Sequence, residues 1–176
     1  MYGYSYNPYL YASSINNTLP AWAQELDFDF DRYYQLTTPA AEQRNAVLDA
    51  MAPNRIQMQP ASTSPSQQWK IIPARTPTEE LPDRYSLMPR SGEGENYFLH
   101  SGLPTRSDTG PGVRLGKEFG SCDRWFQFIS QPGTPLYFMM RPNCYNATLD
   151  SNGKPDGRVY LFDGLDPNPF RLWKLC

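Results

Sequence analysis

With 176 residues and a mass of 20.2 kDa, the chain is the size of one domain, and 18 acidic against 16 basic side chains leave a formal net charge of −2. Charges of both signs are spread along it and supply no basic field for a phosphate backbone or an anionic bilayer, so neither nucleic acid nor membrane is an expected partner. No basic segment with a continuous apolar run opens the sequence and no apolar stretch reaches spanning length, which makes a cytoplasmic location the expectation, with unconventional release as the route out of the cell. Hydrophobic residues make up only 39%, and 18 prolines with 12 glycines interrupt the chain every few residues, so it reads as turn-rich and mostly β. Cys122, Cys144 and Cys176 are an odd number, and without a secretory signal they are expected as reduced thiols.

Residues 1–31 differ in character from the remainder of the chain. Tyr2, Tyr4, Tyr6, Tyr9 and Tyr11 alternate with small or polar residues, and the segment closes on Leu26-Asp27-Phe28-Asp29-Phe30-Asp31. Rigid amphipathic rings at this density suit an arm that packs back on the adjoining domain or docks on a second copy, which would make a homodimer. The one helix expected in the chain runs from about Leu19 to Leu26, with Pro20 in its first turn.

From residue 32 onward four anchors recur three times in the same order, in blocks near 32–72, 84–128 and 136–176. The first is a strand, read at Tyr34-Gln35-Leu36, Tyr85-Ser86-Leu87 and Tyr137-Phe138-Met139. The second is Leu48-Asp49, Leu99-His100 and Leu149-Asp150. The third alternates apolar and polar at Ile56-Gln57-Met58, Val113-Arg114-Leu115 and Val159-Tyr160-Leu161, the period of a half-buried strand. The fourth centres on Trp69, Trp125 and Trp173, which are expected to be equivalent and buried. One such unit cannot bury its apolar face alone, whereas three around an axis share one core.

Gln67-x-Trp69, in register with Asp123-x-Trp125 and Arg171-x-Trp173 behind Leu-Asp strands, resembles the ricin B-chain type of β-trefoil lectin over about residues 32–176. The resemblance implies an all-β trefoil of three four-stranded repeats behind the N-terminal aromatic arm. It also implies a non-enzymatic carbohydrate-binding protein, in which an aspartate accepts hydrogen bonds from sugar hydroxyls, a ring stacks on the sugar face, and an amide near the Q-x-W completes each shallow site.

The three blocks match that pattern unequally. The third keeps Asp150 and Phe162, with Phe170 and Arg171 at the amide positions; the first keeps Asp49 and Gln67, with Gln59 at the ring position; the second has His100, Gly116 and Asp123. The carbohydrate site is therefore expected in the third block on Asp150 and Phe162, with Asp49 and Gln67 as a second, partial one. As a turn residue, Asp150 would instead bond backbone N–H groups ahead of its loop, and so would Asp49. In the ligand role, replacing Asp150 by alanine is expected to leave the melting temperature almost unchanged.

Nothing in the residues points to a cofactor or a catalytic centre. His100 is the lone histidine, and Asp150, Asn152 and Asp156 have Lys154 where a calcium loop needs an oxygen ligand. The competing function is a protein-binding trefoil such as a protease inhibitor, using the long Ser101–Gly112 loop and the arm.

Overall fold

The computed structural model describes residues 29–75, 80–102, 112–117, 124–131, 134–153 and 155–176. Almost all regular structure in it is β: β1 (Tyr33–Tyr34), β2 (Leu36–Thr37), β3 (Ala46–Ala52), β4 (Arg55–Pro60), β5 (Trp69–Arg75), β6 (Glu80–Pro89), β7 (Phe98–His100), β8 (Arg114–Gly116), β9 (Phe126–Gln131), β10 (Thr134–Pro142), β11 (Ala147–Asp150), β12 (Tyr160–Asp163) and β13 (Lys174–Leu175). Beside 3-10 turns at Pro65–Gln67 and Arg90–Glu95, one turn of α-helix, α1 (Pro39–Glu42), comes after β2, started by proline and capped by the Thr38 hydroxyl, which accepts from Ala41 N at 3.3 Å. The Leu19–Leu26 helix and the five arm tyrosines lie outside the described residues.

Two layers make the body. Strands β1, β5, β6, β9 and β10 form one sheet in that order, and Phe138 exchanges backbone hydrogen bonds with Trp173 at 2.9 and 2.7 Å while β13 pairs with β2, so the sheet closes on itself as a barrel. The hairpins β3–β4, β7–β8 and β11–β12 cap one end. They meet where Val113 N donates to Val159 O at 3.0 Å and Val159 N to Ile56 O at 3.5 Å, with all three side chains buried. Each hairpin belongs to a different repeat, so the meeting point is a pseudo-threefold axis.

The core inside the barrel repeats with the same symmetry. Tyr34 and Leu36, Tyr85 and Leu87, and Phe138 and Met140 point inward from the first strands. Trp69 and Ile71, Phe126 and Phe128, and Trp173 and Leu175 do so from the fourth strands. Tyr34 faces Trp69, Tyr85 faces Phe126, and Phe138 faces Trp173.

These pairings correct the expected register twice. In the third repeat Phe138 and Met140, rather than Tyr137 and Met139, match Tyr34 and Leu36. In the second, Phe126 occupies the position of Trp69 and Trp173, so Trp125 matches Gln68. Backbone contacts agree: Asn143 N donates to Trp125 O at 2.8 Å, as Arg90 N does to Gln68 O at 2.7 Å. Trp69 Nε1 and Trp173 Nε1 donate to Leu48 O and Leu149 O at 3.0 and 2.9 Å, while Trp125, although buried, has no such partner among the described residues. Strand alternation explains the slip, since inward residues on one strand lie two apart and Phe126 with Phe128 forms the more apolar face.

A further correction concerns the cysteines. Cys144 is disulfide-bonded and Cys176 is a free, exposed thiol; Cys122 lies outside the described residues. Residue parity carries no information about which thiols the fold brings together. Ahead of β1, Phe30 packs on the core with its ring 6.1 Å from that of Tyr85, and Asp29 N donates to the Tyr34 hydroxyl at 2.8 Å.

Candidate functional site

Each repeat brings three positions together at the side of its hairpin. The residue after the buried leucine of the second strand is Asp49, His100 or Asp150, and two residues before the barrel plug of the fourth strand stands Gln67, Arg124 or Arg171. The outer residue of the third strand is Gln59, Gly116 or Phe162, set by cross-strand pairing with Val47, Phe98 and Thr148 respectively. The corrected register therefore puts Arg124, not Asp123, at the amide position of the second repeat, and Asp123 itself lies outside the described residues.

In the first repeat the amide holds the carboxylate. Gln67 Nε2 donates to Asp49 Oδ2 at 2.9 Å and to Pro60 O at 2.9 Å, and Gln67 Oε1 accepts from Ser62 N and Oγ at 2.7 and 3.1 Å. Gln67 is 2% exposed and Asp49 7%, so the amide rather than solvent holds Asp49 Oδ2, and Asp49 Oδ1 is buried without a partner among the described residues. No ring is present, since Gln59 donates to Asp156 Oδ1 at 2.7 Å instead.

In the third repeat the structure unites Asp150 and Phe162 through Arg171. Arg171 Nε donates to Asp150 Oδ2 at 3.0 Å, its guanidinium carbon lies 3.8 Å from the centroid of the Phe162 ring, and Arg171 Nη1 donates to Asp166 O at 3.3 Å. Asp150 Oδ1 accepts from Asn152 N at 2.9 Å, the turn contact. Asp150 is 4% exposed and Arg171 7%, which makes this a buried ion pair with a cation–π face. Arginine thus makes at once the carboxylate contact and the ring contact that the resemblance gives to a sugar.

Beside this trio lies an aromatic that the sequence did not single out as a platform. Phe170 is 42% exposed, and its backbone accepts from Ser151 N at 2.9 Å. Gly153 permits the contact: its φ is +63°, and a Cβ there would stand 2.9 Å from the Phe170 ring and 2.8 Å from Ala40 Cβ. The signal available in the sequence was an aromatic in the turn Asn168-Pro169-Phe170, beside the fourth strand.

The second repeat has no acid at the corresponding positions. His100 is 2% exposed, Gly116 offers no ring, and Arg124 turns to Phe98, with its guanidinium carbon 4.0 Å from that ring centroid. Burial pulls the Arg124 guanidinium below its ordinary pKa. Nor does any repeat assemble a metal cage: among the described residues no three of His, Cys, Asp and Glu come together, and Asp150 and Asp156 are engaged by Arg171, Asn152, Gln57 and Gln59. Residues 103–111 of the Ser101–Gly112 loop lie outside the described residues. No described helix is long and apolar enough to cross a membrane.

The fold has relatives among solved structures. The Macrolepiota procera ricin B-like lectin, in complex with lactose, superposes with a TM-score of 0.61 at 16% identity, over 85% of this chain and 98% of that one. The Rhizoctonia solani agglutinin gives 0.61 at 15% identity, over 85% and 96%. A designed threefold-symmetric protein, ThreeFoil, gives 0.63 at 16% identity, over 81% and 96%. At these identities the likeness shows the fold, a β-trefoil. No family model and no curated protein matches the sequence.

Proposed function

We propose that this chain is a non-enzymatic carbohydrate-binding protein whose sugar site is in the third repeat, where a saccharide competes with Arg171 for Asp150 and Phe162. What carries the reading is the position of Arg171 itself. One polar group lies on the Phe162 ring and on the Asp150 carboxylate together, so the ring and the acid are spaced for a single small polar ligand. A carboxylate oxygen with lone pairs to spare can accept sugar hydroxyls, and the ring covers apolar C–H groups. The lectin neighbours support the class of ligand, as does the exposed Phe170 at the edge of the site. Asp49 and Gln67 bind each other and form the lesser site. The body proposed to do this spans 32–176, with residues 1–31 as an arm.

Displacing the guanidinium costs part of what the sugar gains, so affinity is expected around millimolar, or about 4 kcal/mol. The test is glycan-array retention of three proteins. Arg171→Gln restores the amide of the first repeat and uncovers the ring, and is expected to bind about tenfold more tightly, a change of about 1.4 kcal/mol. Phe162→Gln copies the first repeat's ring position and is expected to abolish retention. Parent-level retention by both variants would remove the third repeat from consideration.

A further inference from the structure

The first and third repeats contain the same five-residue segment with one difference, reading Asn45-Ala46-Val47-Leu48-Asp49 in one and Asn146-Ala147-Thr148-Leu149-Asp150 in the other. The backbone treats the two alike. Asn45 O accepts from Ala61 N at 2.8 Å as Asn146 O does from Gly164 N at 3.0 Å, and both asparagines are exposed. Val47 faces Gln59 across its hairpin as Thr148 faces Phe162, and the second repeat puts Phe98 at the same place. Val47 and Phe98 are each 6% exposed and Thr148 is 0% exposed, so the fold asks for an apolar side chain here.

Thr148 meets that demand in shape and fails it in chemistry. Threonine and valine have nearly the same outline, but only threonine carries a hydroxyl that must give up water on burial. Thr148 Oγ1 is buried and has no hydrogen-bond partner among the described residues. A buried hydroxyl left unpaired costs stability, and valine, as at position 47, would remove that cost. The folded third repeat therefore gives the Thr148 hydroxyl nothing to do. In the chain before it folds, the same hydroxyl stands two residues after Asn146 with alanine between them, which is the Asn-x-Thr acceptor triplet for an N-linked glycan. Val47 denies that triplet to Asn45.

We infer that Asn146 is an N-glycosylation site, modified on the nascent chain before Thr148 is buried. Asn146 Nδ2 forms a bond to the anomeric carbon of an oligosaccharide carried on a lipid diphosphate. The bond from that carbon to the diphosphate oxygen breaks, the lipid diphosphate leaves with the electron pair, and Nδ2 gives up one proton. Asn146 lies just ahead of β11 on the surface, where the folded domain accommodates a bulky, hydrated group. The oxidation state of the chain agrees. Cys144, two residues before Asn146, is disulfide-bonded, and structural disulfides persist in the oxidising lumen through which N-glycoproteins pass rather than in a reducing cytosol. That bond weighs against the cytoplasmic location expected from the sequence. The modification is covalent and does not depend on the third-repeat sugar site.

The test is peptide mass mapping of the full chain from its native source, before and after peptide N-glycosidase, which leaves aspartate wherever a glycosylated asparagine stood. The peptide holding Asn146 is expected to carry a glycan before treatment and aspartate at 146 after it. Asn16-Asn17-Thr18 is a second such triplet, outside the described residues, so the result is read peptide by peptide. Made in the same cells, Thr148→Ser is expected to keep the glycan, Thr148→Val to lose it, and Val47→Thr to gain one at Asn45 that the parent lacks. After deglycosylation of the parent, Thr148→Val is expected to melt at the same temperature or higher, because no hydrogen bond is lost. An unmodified Asn146 in the native protein overturns the proposal. So does a Thr148→Val protein that melts below the deglycosylated parent, since the hydroxyl would then have a use in the fold.

Discussion

The first and third repeats hold the same carboxylate at the same place in the fold and restrain it by different means. Asp49 is held at Oδ2 by a neutral amide that also satisfies Pro60 O and Ser62, while its Oδ1 is buried without a hydrogen-bond partner among the described residues. Asp150 is held by a guanidinium that also lies on a ring. One substitution of Gln by Arg at the amide position, with Phe for Gln at the ring position, converts a structural clasp into an assembly whose ring and acid a ligand could share. The second repeat, with His100 and Arg124 at these positions, lacks the acid altogether. Backbone symmetry therefore fixes where three sites could be, and side-chain identity decides what each one is.

The strongest test of that symmetry is the barrel plug. Trp173→Ala and Phe126→Ala each empty a fully buried position and are expected to cost about 3–5 kcal/mol. Trp125→Ala, one residue off the plug and outside the barrel core cluster, is expected to cost less than Phe126→Ala in chemical denaturation. A larger loss at Trp125 would restore the tryptophan register and undo the assignment of Arg124.

Next in size is the contrast between the two carboxylates. Asp150→Ala leaves the Arg171 guanidinium buried without its partner and is expected to cost about 3–5 kcal/mol, or roughly 6–20 °C in melting temperature for a domain of this size. The near-unchanged melting temperature expected from the sequence gives way to this, because Asp150 is buried in an ion pair. Asp49→Ala removes the acceptor of an amide that keeps Pro60 O, and is expected to cost about 1–3 kcal/mol. Equal losses would mean that amide and guanidinium restrain the acid alike.

The repeats were legible because a shared core forces apolar anchors to recur at nearly constant spacing, and Leu48, Leu99 and Leu149 are all completely buried. The plug of the second repeat was misread because tryptophan is the more conspicuous residue, although the alternation Trp125-Phe126-Gln127-Phe128 favours Phe126 and Phe128 on one inward face. Asp150 and Phe162 were legible by matching to the other blocks. The role of Arg171 was not, since 18 residues separate Asp49 from Gln67 and 21 separate Asp150 from Arg171, and nothing in either spacing says that the longer side chain reaches on to the ring.

The smallest expected effect lies on the outer faces of the same two repeats. Lys70 stands 5.9 Å from the Tyr33 ring centroid and Lys174 5.9 Å from that of Tyr137, a matched pair. Each tyrosine hydroxyl donates to a glutamate, Tyr33 to Glu93 and Tyr137 to Glu42 at 2.9 Å, but Glu42 also receives Lys174 Nζ at 2.9 Å. The Lys174 bond, then the Tyr137 bond, holds the Glu42 carboxyl below its ordinary pKa. A lowered native pKa stabilises the fold above the ordinary carboxylate range, and that contribution is lost as pH falls through the lowered value. Because both side chains are partly solvated, it is expected to be about half a kcal/mol at neutral pH. Glu42→Gln should therefore lower the melting temperature by about 1–2 °C at pH 7 and by nothing once Glu42 is protonated in the parent, so the two melting curves converge in acid. A difference that persists in acid would mean that Glu42 ties α1 to β13 through packing rather than charge.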